Sequence, residues 1–131
     1  LEFFDGQSLS FTCKNVGLEG VLAQSDFISL HVPGGDLIGA AEIAKMKDGV
    51  FLLNAARGGV INEEALLDAL ESGKVAGAGL DVFKNEPTPA VKVLMNGKVS
   101  LTPHIGAATG EAQDRIGTEL ASHIDALAAS L

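Results

Sequence analysis

Residues 50–83 read VFLLNAARGGVINEEALLDALESGKVAGAGLDVF, and this stretch decides the fold. Val50 to Asn54 and Val75 to Phe83 are nearly continuous runs of apolar or small residues, which is typical of parallel strands covered on both faces. Between them lies a predicted helix, Asn62 to Ser72, with Asn62 as its N-cap. A strand, a helix and a second strand in this order predict a right-handed βαβ unit.

The same alternation of strands and helices continues on either side of this unit. Two further strands are predicted at Asp26 to Val32 and at Val99 to Thr102. Three further helices are predicted: Leu18 to Ala23, Ile38 to Lys47 and one that begins at Thr109. The pattern therefore indicates an α/β protein with a doubly wound parallel sheet.

The composition of the chain argues against some classes of binding partner and favours one cellular compartment. Its 131 residues carry a formal net charge of -8 without a cluster of Lys or Arg, which argues against binding to nucleic acid or to an anionic membrane surface. No apolar run reaches the roughly 18 residues of a membrane span. Cys13 is the only cysteine, so an internal disulfide is excluded and a reducing compartment is favoured. We therefore expect a cytoplasmic protein, and because the sequence begins with Leu1 instead of Met, we expect a piece of a longer one.

Three ionisable residues, Arg57, Glu86 and His104, each follow a predicted strand, so we expect their side chains at one edge of the sheet. Open α/β sheets bind their ligands at the carboxyl ends of the strands. A guanidinium there can grip a substrate carboxylate with two parallel hydrogen bonds, and an imidazole held by a carboxylate can accept and return a proton. Together the three residues predict interconversion of an alcohol and a carbonyl. The alternatives are an Arg paired with a surface acid and a purely structural His.

Signals for other chemistry are weak or missing in the sequence. Gly77-Ala78-Gly79 resembles the opening of a dinucleotide-binding loop, but it lies inside a predicted strand and is not followed by a third Gly and a helix. We interpret it as a place where the backbone approaches a neighbour closely. No residue spacing typical of a metal site occurs.

Several long motifs strongly resemble those of the D-isomer-specific 2-hydroxyacid dehydrogenases, in their order and in their spacing. The resemblance covers about residues 21 to 124. It is carried by Ser25 to Pro33, Met46 to Gly49, Asn54 to Gly59, Ala76 to Phe83 and Thr102 to Ala107. It implies a Rossmann-like domain, truncated at its N-terminal strand, in an enzyme that transfers a hydride between NAD and a small 2-hydroxy or 2-keto acid. Among these acids the resemblance favours 3-phosphoglycerate.

The resemblance also implies roles for individual residues. Arg57 would bind the substrate carboxylate and keto oxygen, His104 would be the general acid and base, and Glu86 would tune His104. Asp81 would hold the nicotinamide carboxamide of NAD, and Arg57 and His104 would also lie against the cofactor. The other residues expected at NAD are Asp5 at the ribose, His31, Val32 and Pro33 near the adenosine half, and Ala55, Ala56, Gly106 and Ala107 near the nicotinamide.

Compared with the family, the sequence lacks the first strand and the glycine-rich loop that seats the pyrophosphate of NAD. Residues 1–109 are therefore expected to form a partial NAD-binding domain, and residues 110–131 a helix that returns toward a substrate domain. The missing strand would leave two sheet edges unpaired, which favours a homo-oligomer or a displacement of residues 1–20. We expect little or no turnover by the isolated chain. The alternative functions are a non-catalytic module that senses nicotinamide cofactors, as in corepressors of this fold, and a self-associating unit without activity.

Overall fold

The computed structural model describes residues 8–10 and 12–130, which contain one parallel sheet and its helices. The elements, in chain order, are α1 (Leu18–Gln24), β1 (Phe27–Leu30), α2 (Ala40–Lys45), β2 (Val50–Asn54), α3 (Glu63–Ser72), β3 (Val75–Leu80), α4 (Val91–Leu94), β4 (Val99–Leu101) and α5 (Gly110–Ala128). The predicted strands and helices are confirmed, most of them with shorter bounds. In this part of the chain α4 is an additional short helix that the sequence pattern does not predict.

The four strands lie in the order β1-β2-β3-β4, and neighbouring strands are parallel. Their last residues stand side by side, since Leu30 pairs with Asn54, Asn54 with Leu80, and Leu80 with Leu101. The alignment continues past the strands, because the Asp81 N–H donates to the Asn54 carbonyl at 2.9 Å. The loops that follow the strands therefore leave the sheet at one edge, as the sequence predicts.

The helices between the strands cover one face of the sheet. Right-handed crossovers between strands in sequential order place every intervening helix on the same side. The burial pattern agrees, because alternate residues of β1 and β2 are buried and the others are exposed. On the open face Phe27 is 68% exposed and stacks on Phe51, with 5.0 Å between the ring centroids. The prediction that these strands are covered on both faces is therefore wrong for the described residues.

Helix α3 shows how the core is built between the sheet and the helical layer. Leu66 and Leu70, one turn apart, are fully buried, and burial of each such side chain contributes about 1.5–3 kcal/mol. The helix begins at the predicted cap, where the Asn62 side chain accepts a hydrogen bond from the Ala65 N–H at 3.0 Å. It ends at Gly73, whose φ of 81° lies in the left-handed region that glycine adopts without a steric penalty. Both predicted ends of α3 are thus confirmed.

Helix α5 stands apart from the core. Thr109 caps its start, with 3.2 Å between its hydroxyl oxygen and the Ala112 nitrogen, but no residue of the helix is buried. One face of the helix carries an apolar stripe, and each of its side chains is more than half exposed: Ile116, Leu120, Ile124 and Leu127. Within the described residues this stripe therefore has no partner.

Residues 1–7 lie outside the described part of the chain. The ribose-binding role expected of Asp5 therefore stays a prediction. Where the chain is described, no helix is both long enough and apolar enough to cross a membrane. The described His, Cys, Asp and Glu residues also form no group that could hold a metal ion.

Candidate active site

His104 and Glu86 are in direct contact at the carboxyl edge of β3 and β4. The Nδ1 atom of His104 lies 2.7 Å from Glu86 Oε2, and Glu86 Oε1 accepts a hydrogen bond from the Phe83 N–H at 2.8 Å. These hydrogen bonds, that from His104 first, lower the pKa of the Glu86 carboxyl, so Glu86 stays charged beside the ring. Because an ionised carboxylate can only accept, Nδ1 of His104 carries the shared proton. The Nε2 atom is then the nitrogen that can exchange a proton with a ligand.

Asp81 holds the loop that carries His104 in place through hydrogen bonds. Its Oδ1 atom accepts hydrogen bonds from the Thr102 hydroxyl at 2.6 Å and from the Ile105 N–H at 2.9 Å. Its Oδ2 atom accepts from the Gly106 N–H at 2.8 Å. These bonds hold His104 at a φ of 56°, a left-handed conformation that is uncommon outside glycine. Asp81 therefore sets the direction in which the imidazole leaves the loop.

The Asp81 carboxyl stays ionised although only 8% of the residue is exposed. Burial alone would raise its pKa, but the hydrogen bonds from Thr102, Ile105 and Gly106 together outweigh that effect and lower the pKa. The family resemblance implies that Asp81 holds the nicotinamide carboxamide of NAD. The contacts with residues 102–106 are an additional role, which depends on tertiary structure.

Replacing Asp81 with Ala is expected to lower the free energy of unfolding by about 2–4 kcal/mol, because it leaves the Ile105 and Gly106 N–H groups without their acceptor. Urea unfolding of the variant and its parent measures the difference. Asp68→Ala on the exposed face of α3 is the control, with an expected effect within about 0.5 kcal/mol. Equal effects of the two substitutions would show that other contacts hold the His104 loop.

Acid is expected to weaken the fold through Asp81 and Glu86. The pKa of each carboxyl is lowered in the folded protein, so the unfolded chain binds these protons more readily. Their contribution to stability is complete above the ordinary carboxyl range, about pH 4, and is lost as the pH falls through the lowered values. Urea unfolding at about pH 6 and about pH 3 should show a smaller acid loss for the Asp81→Asn, Glu86→Gln double variant than for the parent. Equal losses would contradict this prediction.

Asn54 positions the loop that carries Arg57. Asn54 is only 3% exposed, and its side chain bridges this loop, donating to the Arg57 carbonyl at 3.0 Å and accepting from the Ala56 N–H at 3.1 Å. The Arg57 side chain is exposed and donates to the Ala56 carbonyl at 2.7 Å. Among the described residues no carboxylate forms an ion pair with Arg57, so the alternative of an Arg paired with a surface acid finds no support there. A lone amide at the end of an apolar strand is the sequence signal that could have identified Asn54.

Within the described residues, the other positions expected at the cofactor follow strands that end at this edge of the sheet. His31, Val32 and Pro33 follow β1, and a ring nitrogen of His31 lies 2.8 Å from the Ser29 hydroxyl oxygen. Several backbone groups near the predicted nicotinamide site already have partners within the protein. The Ala56 N–H donates to Asn54, the Gly106 N–H to Asp81, and the Ala107 carbonyl accepts from the Gln113 side chain. Ala55 is exposed beside Ala56.

Comparison with known proteins identifies the family of this chain. Residues 5–106 match the family described as D-isomer specific 2-hydroxyacid dehydrogenase, NAD binding domain. The chain therefore belongs to the D-isomer specific 2-hydroxyacid dehydrogenases, and it comprises part of their NAD-binding domain. The resemblance stated from the sequence motifs is confirmed, and so is NAD as the cofactor of the family.

Three relatives illustrate this similarity. A hydroxypyruvate reductase from Thermotoga maritima is 53% identical over an alignment of 116 residues, and the match covers 83% of this chain and 38% of the relative. A D-3-phosphoglycerate dehydrogenase from Mycobacterium bovis is 46% identical over an alignment of 113 residues, and the match covers 83% of this chain and 21% of the relative. The crystal structure of a glyoxylate reductase from Paecilomyes thermophila superimposes with a TM-score of 0.72 at 48% identity, over 79% of this chain and 33% of the other.

The chain thus spans between about a fifth and two fifths of the length of these relatives. Their names include hydroxypyruvate, 3-phosphoglycerate and glyoxylate, which differ in the group attached to the 2-keto or 2-hydroxy acid. The comparisons therefore identify the class of substrate in the family and leave its individual member open.

Proposed function

We propose that this chain supplies the cofactor-contacting and proton-transferring part of an NAD-dependent D-2-hydroxyacid dehydrogenase. The observation that carries the proposal is the His104–Glu86 hydrogen bond of 2.7 Å, on a loop fastened by the buried Asp81, at the sheet edge where Arg57 also emerges. An imidazole held by a charged carboxylate, next to an exposed guanidinium, suits a small acid that gains or loses a proton at oxygen.

Each side chain has a separate task in this proposal. Arg57 binds the substrate carboxylate through two parallel hydrogen bonds and orients the 2-hydroxyl group toward His104. When bound, NAD would supply the acceptor for the hydride on carbon 2 of the hydroxy acid, and Asp81 would hold its carboxamide. His104 Nε2 takes the hydroxyl proton in the same oxidation, and the product is a 2-keto acid. Glu86 stabilises the positive charge that His104 acquires, and in the reduction His104 returns the proton to the carbonyl oxygen.

The residues present fit the nicotinamide end of NAD. An ionised carboxylate has about four positions at which it can accept a hydrogen bond. In Asp81 three of them are used by the hydrogen bonds from Thr102, Ile105 and Gly106. One position remains for the N–H of a carboxamide. We assign His31, Val32 and Pro33 to the adenosine half, and Asp5 to the ribose, where a carboxylate favours NAD over NADP.

The proposed substrate is a three-carbon D-2-hydroxy acid, with 3-phosphoglycerate as the first candidate. Hydroxypyruvate and 3-phosphoglycerate, the acids named for two of the relatives, share a three-carbon skeleton with a carboxylate that Arg57 can bind. Recognition of the phosphate requires basic groups, which we expect from a substrate domain outside this chain. The ratio of kcat/KM for 3-phosphoglycerate to that for glycerate, in a protein that adds this domain, would identify the preferred acid. We also propose a cytoplasmic location, since the only cysteine, Cys13, suits a reducing compartment.

A chimaeric enzyme tests the proposed chemistry. In this chimaera the present chain replaces the matching 116 residues of the Thermotoga maritima hydroxypyruvate reductase, which contributes the rest of the protein. We expect NADH-dependent reduction of hydroxypyruvate, which is measured as the loss of NADH absorbance. A folded chimaera that binds NADH and has no turnover would overturn the catalytic proposal, and would favour a module that only senses the cofactor.

The open face of the sheet favours a second candidate, self-association of the chain as a homo-oligomer. Phe27, Phe51 and Leu53 lie exposed on that face, and exposed apolar patches mark interaction surfaces. Sedimentation should give at least the mass of a dimer for the parent and a lower mass for Phe51→Ser. Val91→Ser, which changes an exposed residue of α4, is the matched control and should leave the mass unchanged. A monomeric parent would contradict self-association through this face.

A further inference from the structure

We propose that Gly58 is a positioning residue that sets the spacing between Arg57 and the Glu86–His104 pair through direct contact with the Phe83 carbonyl. This inference rests on the catalytic roles proposed above. Gly58 follows Arg57 directly in the chain, and Phe83 donates its N–H to Glu86. One backbone contact therefore joins the loop after β2 to the loop after β3.

The contact between Gly58 and Phe83 leaves no room for a side chain. A Cβ atom at position 58 would overlap the carbonyl group of Phe83 and lie 3.0 Å from the Lys84 nitrogen. The next residue, Gly59, has a φ of 82° and open space around its Cα. Its backbone conformation therefore explains why position 59 is a glycine. Gly58 has no such positive φ. Its lack of a side chain is therefore explained by the close approach of the two loops.

The Phe83–Lys84 peptide is held on both sides and cannot easily give way. The Phe83 N–H donates to Glu86 Oε1 at 2.8 Å, and the Lys84 N–H donates to Glu63 Oε1, at the start of α3, at 2.7 Å. Phe83 itself is buried in the core. A side chain at position 58 must therefore either move the Arg57 loop outward or break the hydrogen bonds that hold Glu86. Both outcomes change the position of Arg57 relative to His104.

The test compares Gly58→Ala with Gly97→Ala, a glycine with open space around it and no positive φ. Carbon-13 NMR of the 131-residue chain measures the titration of the Glu86 carboxyl. The charged groups that act on this carboxyl are His104 and Asp81. In Gly58→Ala we expect the lowered pKa of Glu86 to move back toward its ordinary value, because the Phe83 N–H is displaced. Gly97→Ala should match the parent. A folded Gly58→Ala protein in which the Glu86 titration and the backbone amide shifts of residues 55–59 both match those of the parent would overturn the proposal.

A second pair of variants decides the question if Gly58→Ala does not fold. Glu63→Ala removes the acceptor of the Lys84 N–H and loosens the same peptide from the other side, whereas Glu64→Ala removes an equal charge from an exposed neighbour. We expect the pKa of the Glu86 carboxyl to change in Glu63→Ala and to remain that of the parent in Glu64→Ala. Identical titrations in both variants would overturn the proposal.

The chimaeric enzyme separates this inference from the proposed function. There Gly58→Ala should lower kcat/KM about 100-fold, as expected for a misplacement of about 1 Å, while the dissociation constant of NADH is unchanged. If the chimaera has no activity but the Glu86 titration responds to Gly58→Ala, the catalytic proposal fails and the positioning contact stands. If the chimaera is active and neither kcat/KM nor the titration responds, the positioning role fails alone.

Discussion

Replacing His104 with Gln in the chimaeric enzyme is expected to lower kcat by about 100-fold to 10,000-fold, the contribution of a positioned general acid or base. Gln can still accept a hydrogen bond from a substrate hydroxyl, but it cannot take the proton. The proton released as the alcohol is oxidised must then go to water. The effect should fall on kcat, with little change in the dissociation constant of NADH, because Asp81 holds the loop through Thr102 and the amides of Ile105 and Gly106.

His123→Gln is the matched control for His104→Gln, since His123 is exposed on α5, outside the edge of the sheet where the candidate site lies. The control should keep the parent kcat. Glu86→Gln should lie between the two, because the His104 ring keeps an acceptor at Nδ1 and loses the charge that stabilises its protonated form. A kcat for His104→Gln within a factor of about three of the control would assign proton transfer to another group.

The arrangement of strands was predictable because it depends on local pattern and on general rules of chain connection. The apolar run of residues 50–54, the capped helix that follows and the small residues of β3 define a βαβ unit, and its parallel strands end side by side. From that arrangement the edge shared by Arg57, Glu86 and His104 follows directly. The contact between Glu86 and His104 needs only that two loops from neighbouring strands meet.

Other features depend on tertiary contacts that no local pattern contains. The runs in β1 and β2 are apolar on both faces, which predicts cover on both, yet the described helices cover only one. The second role of Asp81, as acceptor for residues 102–106, requires the register between β3 and β4. The fit of Gly58 against Phe83 joins residues 25 positions apart in the chain. Such glycines are visible in the sequence, but their neighbours are not.

Arg57 carries the second large effect, and its substitutions separate charge from geometry. Arg57→Ala should lower kcat/KM of the chimaeric enzyme by about 100-fold to 10,000-fold, since hydrogen bonds to a charged group contribute about 1.5–3 kcal/mol each and two are lost. Arg57→Lys keeps the charge but loses the planar pair of donors, so it should recover only part of this loss.

The structure gives a physical reason to expect these effects on substrate binding without large effects on folding. The Arg57 side chain is exposed and bonds only to the adjacent Ala56 carbonyl among the contacts described, whereas Asn54 holds the loop through backbone groups that every substitution at position 57 retains. The urea midpoint should therefore stay near that of the parent. Arg115→Ala, which removes an exposed Arg from α5, is the control for the loss of positive charge. If Arg115→Ala lowers kcat/KM as much as Arg57→Ala does, the substrate responds to the overall charge of the protein, and a specific carboxylate contact at Arg57 is disproved.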